Sequence, residues 1–184
     1  MRSAVFLDRD GVINRSIVRD GKPYPPATLG ELEVLPGVAD ALRLLRGAGF
    51  VNIVVTNQPD VRTGKQDRNL VEAIHRELLR TLPLDDIRAC YHVDEDGCEC
   101  RKPRPGMLLG AANDHGIDLS ASYMVGDRWR DVHAGQAAGC RSLFIDLGYD
   151  ERRPDPPFVT VGSLLQAANA IVSKTRMPVQ GTNS

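Results

Sequence analysis

Residues 4–12 read Ala4-Val5-Phe6-Leu7-Asp8-Arg9-Asp10-Gly11-Val12, four apolar residues followed by two carboxylates around an arginine. A short apolar run that ends in charged residues is typical of a buried strand in a parallel sheet. Asp8 and Asp10 lie two positions apart, so both side chains point to the same side if the chain stays extended. Like charges this close are unfavourable unless a cation or a proton lies between them. The stretch therefore predicts a strand end that carries chemistry.

Short apolar runs and segments of helical period alternate along the rest of the chain. Strands are predicted at residues 4–7, 50–55, 87–92, 123–125 and 142–145, and helices at 38–46, 68–81, 107–115, 131–138 and from 164 onward. Repeated alternation of this kind predicts an α/β fold, a doubly wound parallel sheet with helices on both faces. Ligands bind such sheets at the carboxyl ends of the strands. The residues that follow each strand are therefore the candidates for function.

Length and composition indicate one globular domain. The chain has 184 residues, 42% of them hydrophobic and 26% charged, with a formal net charge of −1. Near-neutral charge argues against a protein built to bind nucleic acid or an anionic membrane. No apolar run approaches the roughly 20 residues that a membrane span requires, and the first run is too short for a signal peptide. We expect one cytoplasmic domain over residues 1–174, a flexible tail over 175–184, and a monomer.

Polar side chains follow four of the predicted strands. Besides the first pair they are Thr56, Asn57 and Gln58 after the second strand, Lys102 after the third, and Asp127 and Asp131 after the fourth. Each of them alone is more typical of a turn, a helix cap or a solvated surface. Together, at successive ends of one sheet, they bring several carboxylates, a hydroxyl and an ammonium group into one crevice. Gathered carboxylates favour a hard cation such as Mg²⁺.

Three of the four cysteines fall within eleven residues. With one histidine they form the set Cys90, His92, Cys98 and Cys100. The clustering favours a closed tetrahedral Zn²⁺ site, structural in kind, over buried thiols or a disulfide. Residues 93–97 between the ligand pairs are acidic and cannot form a core, so zinc is their expected source of order. Cys140 is predicted to lie in the core, and His75 on a helix surface without a chemical role.

The four strand ends resemble the four motifs of the haloacid-dehalogenase superfamily of phosphohydrolases. The resemblance lies in Asp8-x-Asp10-Gly-Val, Thr56, Lys102 and Gly126-Asp127-x-x-x-Asp131, and it spans residues 6–145. It implies the Rossmann-like fold of that superfamily and hydrolysis of a phosphate ester through an aspartyl-phosphate. The length of chain between the motifs leaves no room for a separate cap domain.

The resemblance also implies a role for each motif residue. Asp8 is the expected nucleophile, and Asp10 the general acid and then the general base. Mg²⁺ is expected on Asp8, the backbone carbonyl of Asp10 and Asp127. Thr56 and Lys102 would bind the phosphoryl oxygens, while Asp131 would orient Lys102 or metal-bound water. A phosphorylation-receiver domain is an alternative that does not explain Asp10, and a zinc-ordered binding module leaves the strand-end carboxylates unexplained.

Two capless branches of the superfamily carry a similar cysteine signature: the heptose 1,7-bisphosphate 7-phosphatases and the histidinol-phosphatases. Residues 101–107 and 122–127 resemble the heptose branch, whereas the short gap between His92 and Cys98 departs from it. A bisphosphate needs a second anion site, which Arg101 beside Lys102 could supply together with Arg62, Lys65 or Arg128. The expected substrate-binding residues are Asn57, Arg101, Lys102 and Arg128. We therefore expect a small phosphorylated sugar as substrate, with histidinol phosphate as the alternative.

Overall fold

The computed structural model describes residues 1–176 and shows an α/β fold with eight strands. The strands are β1 (Ser3–Leu7), β2 (Ile17–Arg19), β3 (Lys22–Tyr24), β4 (Phe50–Asn57), β5 (Asp86–Cys90), β6 (Tyr123–Gly126), β7 (Arg141–Ile145) and β8 (Val159–Val161). Six of them form one sheet in the order β5-β4-β1-β6-β7-β8, with every neighbouring pair parallel. The predicted parallel sheet is thus confirmed. β2 and β3 form a separate antiparallel hairpin.

Five α-helices cover the two faces of the sheet: α1 (Val38–Gly47), α2 (Arg68–Thr81), α3 (Gly106–His115), α4 (Trp129–Ala137) and α5 (Leu164–Arg176). The side chains of β1 alternate between two hydrophobic clusters, as the two-residue period of a strand requires. Val5 and Leu7 pack with α1, α2 and α5, whereas Ala4 and Phe6 pack with α3 and α4. Helices therefore lie on both faces, as the sequence predicts.

β1 lies at the centre of the sheet and fixes the position of the site. Leu7 is paired with Val54 of β4 on one side and with Val125 of β6 on the other. The loops after these three strands therefore leave the same edge of the sheet next to one another. Neither the stretch between β1 and α1 nor that between β4 and β5 holds a separate domain in the described part of the chain.

Some element boundaries differ from the prediction. β5 ends at Cys90, so residues 91 and 92 were wrongly assigned to the strand; the chain leaves the sheet there because it turns into the cysteine cluster. α4 begins at Trp129, two residues earlier than predicted. α5 continues to Arg176, two residues into the stretch expected to be a tail, and residues 177–184 of that stretch lie outside the described residues. Among the described helices, none has the length and apolar character to cross a membrane.

Candidate active site

The loop after β1 is a tight turn that brings both N-terminal carboxylates to the edge of the sheet. The carbonyl of Arg9 accepts hydrogen bonds from the backbone N–H groups of Ile13 at 2.8 Å and Asn14 at 3.1 Å. Gly11 has a φ of +88°, and a Cβ there would lie 2.0 Å from Oδ2 of Asp127. The turn can therefore form only with glycine at this position, since any side chain would collide with the facing carboxylate.

A cavity of about 170 Å³ opens where these strands end. Its lining includes the predicted side chains Asp8, Asp10, Thr56, Asn57, Lys102, Arg128 and Asp131. Pro23 and Tyr24 of the hairpin also line the cavity, and Arg130 contributes a further cation. The structure thus brings together residues that are far apart in the sequence.

Lys102 is the charged centre of the site. Its side chain is 2% exposed, and Nζ donates to Oδ1 of Asp8 at 2.8 Å and to the carbonyl of Val55 at 2.7 Å. Nζ also lies 2.6 Å from Oδ1 of Asp131, which is the contact that a role in orienting Lys102 requires. Burial opposes the charge of Lys102, but the carboxylates of Asp131 and Asp8 outweigh it and raise the pKa of the lysine. The lysine is therefore held as a cation where phosphoryl oxygens could bind.

Asn57 holds the backbone of Lys102. Its Nδ2 donates to the carbonyl of Lys102 at 3.0 Å, and its Oδ1 accepts from the N–H of Lys102 at 3.1 Å. Both polar ends of the amide are engaged by this exchange. Asn57 lines the cavity as expected of a substrate-binding residue, but its hydrogen bonds serve to fix the lysine.

Asp8, Asp127 and Asp131 offer carboxylate oxygens that lie within 4.8 Å of one another. Burial raises the pKa of Asp8 to about 6, with Lys102 opposing and Asp131 adding to the rise. Burial, followed by the charges of Asp8 and Asp131, raises the pKa of Asp127 well above its usual value. Neither oxygen of Asp127 makes a hydrogen bond of ordinary geometry with the described residues, although the Tyr149 hydroxyl lies near enough to act against the rise of its pKa. Buried, crowded and unsatisfied carboxylate oxygens fit a hard divalent cation such as Mg²⁺.

Asp10 lies apart from this carboxylate group. Its oxygens accept hydrogen bonds from Arg9, Asn14 and Gln58, and Gln58 Nε2 also donates to Oγ1 of Thr56 at 2.9 Å. Burial acts to raise the pKa of Asp10, but the charge and hydrogen bonds of Arg9, with those of Asn14 and Gln58, outweigh it and lower the pKa. The predicted magnesium contact of Asp10 concerns its backbone carbonyl and stays a prediction.

The basic residues are arranged differently from the expectation. Arg101 lies outside the cavity lining: its Nε donates to Asp94 at 2.7 Å and its Nη1 to the carbonyl of His92. Arg128 lines the cavity while it is paired with Glu151 at 2.6 Å. Arg130, which was not predicted, lines the cavity and is 3.1 Å from Asp94. Arg130 could have been predicted as a site residue from its position directly before Asp131, in the first turn of α4.

The cysteine cluster forms beside the site as predicted. The Sγ atom of Cys100 lies 3.1 Å from that of Cys90 and 3.4 Å from that of Cys98, and 3.2 Å from Nδ1 of His92. These sulfur separations exceed the roughly 2.05 Å of a disulfide bond, and all three thiols are free. Three sulfurs and one nitrogen this close fit a tetrahedral Zn²⁺ ion.

Two residues outside the motifs test smaller predictions. Cys140 is buried, as predicted. The placement of His75 on a helix surface was wrong: its side chain points into the protein, 9% exposed, and its Nε2 lies 3.0 Å from Nη1 of Arg9. The hydrophobic period of α2 could not reveal this contact, because Arg9 lies far from His75 in the sequence, on the loop after β1.

Comparison with known proteins gives a consistent result. Residues 99–165 match the family model described as HAD-hydrolase-like. A protein from Pseudomonas aeruginosa, named D-glycero-beta-D-manno-heptose-1,7-bisphosphate 7-phosphatase, is 37% identical over 162 residues, covering 85% of this chain and 88% of that protein. A protein of the same name from Escherichia coli K12 is 42% identical over 147 residues, covering 73% of this chain and 74% of that protein.

Solved structures agree with the sequence relatives. The crystal structure of a D,D-heptose 1,7-bisphosphate phosphatase from B. bronchiseptica, complexed with magnesium and phosphate, superposes with a TM-score of 0.78 at 28% identity. The superposition covers 94% of this chain and 99% of that chain. A phosphatase described as HAD-like from Mesorhizobium loti gives a TM-score of 0.73 at 29% identity over 97% of this chain and 90% of that chain.

Proposed function

The chain belongs to the haloacid-dehalogenase-like family of phosphohydrolases, and we propose that it removes the 7-phosphate of D-glycero-D-manno-heptose 1,7-bisphosphate. The observation that carries the chemistry is the contact of the buried Lys102 ammonium with Asp8, next to the unsatisfied carboxylate of Asp127. Such a group of charges has little use in a structural core, because burying it is costly. It suits a site that receives a phosphate and a cation together.

In the first step a carboxylate oxygen of Asp8 attacks phosphorus. A bond forms between this oxygen and phosphorus while the bond from phosphorus to the sugar oxygen breaks, and the electron pair leaves with the sugar oxygen. Asp10 donates a proton to that oxygen and so releases an alcohol. In the second step Asp10 accepts a proton from the water that attacks the aspartyl-phosphate, which frees phosphate and restores Asp8. Although burial acts to raise the pKa of Asp10, the charge and hydrogen bonds of Arg9 lower it, so Asp10 is ionised in the free enzyme. The proton that it donates in the first step is taken up from the monoanionic phosphate group of the substrate, and Asp10 is then ionised again for its second role.

Lys102 and Thr56 are placed to bind the phosphoryl oxygens. Lys102 Nζ is held in place by Asp8, Asp131 and the carbonyl of Val55, which use its three N–H donors. It would bind a phosphoryl oxygen by exchanging the contact with Asp8 as that carboxylate attacks phosphorus. Mg²⁺, held by Asp8, Asp127 and the carbonyl of Asp10, would offset the repulsion between the nucleophile and an anionic phosphate. Asp131, already engaged with Lys102, completes the acidic wall of the site.

The choice of substrate rests on the relatives and on the cations at the rim. Curated relatives that are 37% and 42% identical are named for the heptose bisphosphate. Arg128 and Arg130 line the cavity, and planar guanidinium groups suit a second phosphate. We assign the 1-phosphate of the substrate to these two arginines. Arg101 instead supports the cysteine loop, residues 91–101, through its hydrogen bond to Asp94. The free thiols of the zinc cluster suit a reducing compartment, so we place the enzyme in the cytoplasm.

A direct comparison of two substrates tests this proposal. Phosphate release is measured for heptose 1,7-bisphosphate and for histidinol phosphate with Mg²⁺ present, beside the Arg130→Gln variant. We expect a kcat/KM at least about 100-fold higher for the bisphosphate, because two charged groups bind in place of one, and a rise in KM for the variant. Higher kcat/KM for histidinol phosphate would overturn the substrate, and no phosphate release from either would overturn the reaction.

A further inference from the structure

Arg9 is a fully buried arginine for which the family mechanism has no task. Its side chain is 0% exposed, and it is the largest fully buried side chain among the described residues. Nη2 donates to both oxygens of Asp10, at 3.0 Å and 2.8 Å, and Nε donates to Oδ1 at 3.2 Å. Burying a guanidinium group costs desolvation free energy, which must be offset by ion pairs and hydrogen bonds such as those to Asp10.

His75 holds the other end of this guanidinium. Nη1 of Arg9 lies 3.0 Å from Nε2 of His75. An arginine can only donate, so Nε2 must accept and the imidazole is neutral with its proton on Nδ1. The neutral state is consistent with the environment, because burial and then the charge of Arg9 lower the pKa of His75 to about 4. The two ends of Arg9 are thus fixed by an acid on the β1 loop and a histidine on α2.

Resting on the proposed function, we propose that Arg9, held by His75, is a positioning residue that fixes the carboxylate of Asp10 for proton transfer to the leaving group. The carboxylate is oriented from three directions. Arg9 donates to both oxygens of Asp10. Asn14 Nδ2 donates to Oδ1 at 2.9 Å, and Gln58 Nε2 donates to Oδ2 at 2.9 Å.

Arg9 contacts Asp10 from outside the cavity, and this matters for proton transfer. Asp10 is part of the cavity lining, whereas Arg9 and His75 are not. The arginine therefore acts on the substrate only through Asp10. A general acid misplaced by about 1 Å can lose a large part of its effect, because proton transfer depends steeply on geometry.

The test compares two leaving groups. The alkoxide released from heptose 1,7-bisphosphate needs a proton from Asp10, whereas the phenolate released from p-nitrophenyl phosphate is stable without one. For Arg9→Met we expect kcat to fall about 10- to 100-fold on the heptose substrate and several-fold at most on p-nitrophenyl phosphate, with KM little changed. Equal losses of kcat on the two substrates would overturn the proposal.

Variants of His75 keep the test decisive if Arg9→Met does not fold. His75→Leu removes the acceptor for Nη1, so the same selective loss should appear in a milder form. His75→Gln restores an acceptor and should recover most of the wild-type ratio of the two kcat values. If His75→Leu leaves that ratio unchanged, or if the Gln variant behaves like the Leu variant, the proposal is wrong.

A matched control separates positioning from general destabilisation. Asn52 is also fully buried, and its Nδ2 donates to the carbonyl groups of Leu42 and Pro83, away from the cavity. Asn52→Ala should lower stability without changing the ratio of the two kcat values; a change as large as that of Arg9→Met would count against the proposal. Failure of the proposed function is distinguishable, since the wild-type enzyme would then release no phosphate from the heptose substrate.

Discussion

The ammonium group of Lys102 lies among three buried carboxylates, those of Asp8, Asp127 and Asp131. Lys102 contacts Asp8 and Asp131 directly, and Asp127 lies close to both acids with no hydrogen bond of ordinary geometry to the described residues. Burial raises the pKa of Asp127 well above its usual value, and the charges of Asp8 and Asp131 add to the rise. The charge imbalance is a property of single residues and suits the arrival of a divalent cation.

Asp8→Asn tests the nucleophile at this scale. We expect turnover to fall by at least about 10³-fold, because the amide cannot form an acyl phosphate. The melting temperature should stay equal or rise, since the change removes one of the crowded negative charges and keeps the shape of the side chain. Steady-state kinetics and thermal unfolding measure the two effects.

Asp40→Asn is the matched control for this variant. Asp40 is an exposed acid on α1 that pairs with Arg43 and is not part of the cavity lining. Its substitution should leave both activity and melting temperature within error of the wild type. Wild-type turnover by Asp8→Asn would contradict the nucleophilic role.

At the scale of elements, the cysteine loop and helix α4 are joined beside the cavity. Asp94 of the loop accepts hydrogen bonds from Arg101 and from Arg130, and Arg130 Nη1 also donates to the carbonyl of Lys102 at 3.4 Å. The loop therefore supports the backbone of Lys102 through Arg130, so disorder of the loop would displace this lysine. A bound metal would hold this short acidic loop together, because the loop has no core of its own.

Cys98→Ser tests the metal and its effect together. Protein purified without added zinc should contain one Zn²⁺ per chain, and the variant should contain much less. We expect kcat to fall about 10-fold or more, because the loop that supports Lys102 loses its order. Metal analysis by mass spectrometry and phosphate-release kinetics measure the two quantities.

Cys140→Ser is the control for loss of a thiol. Cys140 is buried and separate from the cluster, so its substitution should leave the zinc content unchanged. A wild-type protein that contains no zinc would contradict the assignment of the site.

Elements with strong hydrophobic patterns could be predicted from the sequence, and those without them could not. β4 is buried along nearly its whole length, and its apolar run predicts it well. The hairpin of β2 and β3 was missed because each strand has three residues, β2 is largely exposed and Pro23 interrupts the pattern. β8 was missed for the same reason of length and exposure.

The site shows the same division. Asp8, Thr56 and Asp127 lie at the ends of predicted strands, so topology brings them together. Lys102 lies beyond the cysteine cluster, and only the order of the motifs placed it in the site. The partner of Arg9 could not be predicted, because only the packing of α2 against the sheet brings His75 to it. Likewise, the pairing of Arg101 with Asp94 depends on the path of the cysteine loop, which no periodic pattern specifies.

At the scale of the whole molecule, buried polar groups contribute to how stability depends on pH. Burial, and then the charge of Arg9, lower the pKa of His75 from 6.5 to about 4 in the folded protein. Between these values the unfolded chain binds a proton that the folded chain does not, so the free energy of unfolding falls as the pH falls from 6.5 towards 4. The raised pKa of Asp8 acts in the opposite direction, because its folded form takes up a proton first.

The His75→Gln variant isolates the histidine from the acids. Glutamine does not titrate, so the wild type should lose about 3 kcal/mol of unfolding free energy relative to the variant between pH 7 and pH 4. Urea unfolding of both proteins across this range measures the difference. A constant difference between the two proteins would mean that His75 does not remain neutral in the folded state.

The central position of β1 has a consequence for the order in which the protein is made. The N–H of Asp8 donates to the carbonyl of Val125 at 3.0 Å, so β1 is completed by a strand that leaves the ribosome much later than β1 does. Long-range parallel pairing of this kind slows folding, since a long loop must close before the contact forms. A nascent chain that ends before β6 therefore contains Asp8 but cannot form the active site, because β6 and Asp127 have not yet been made.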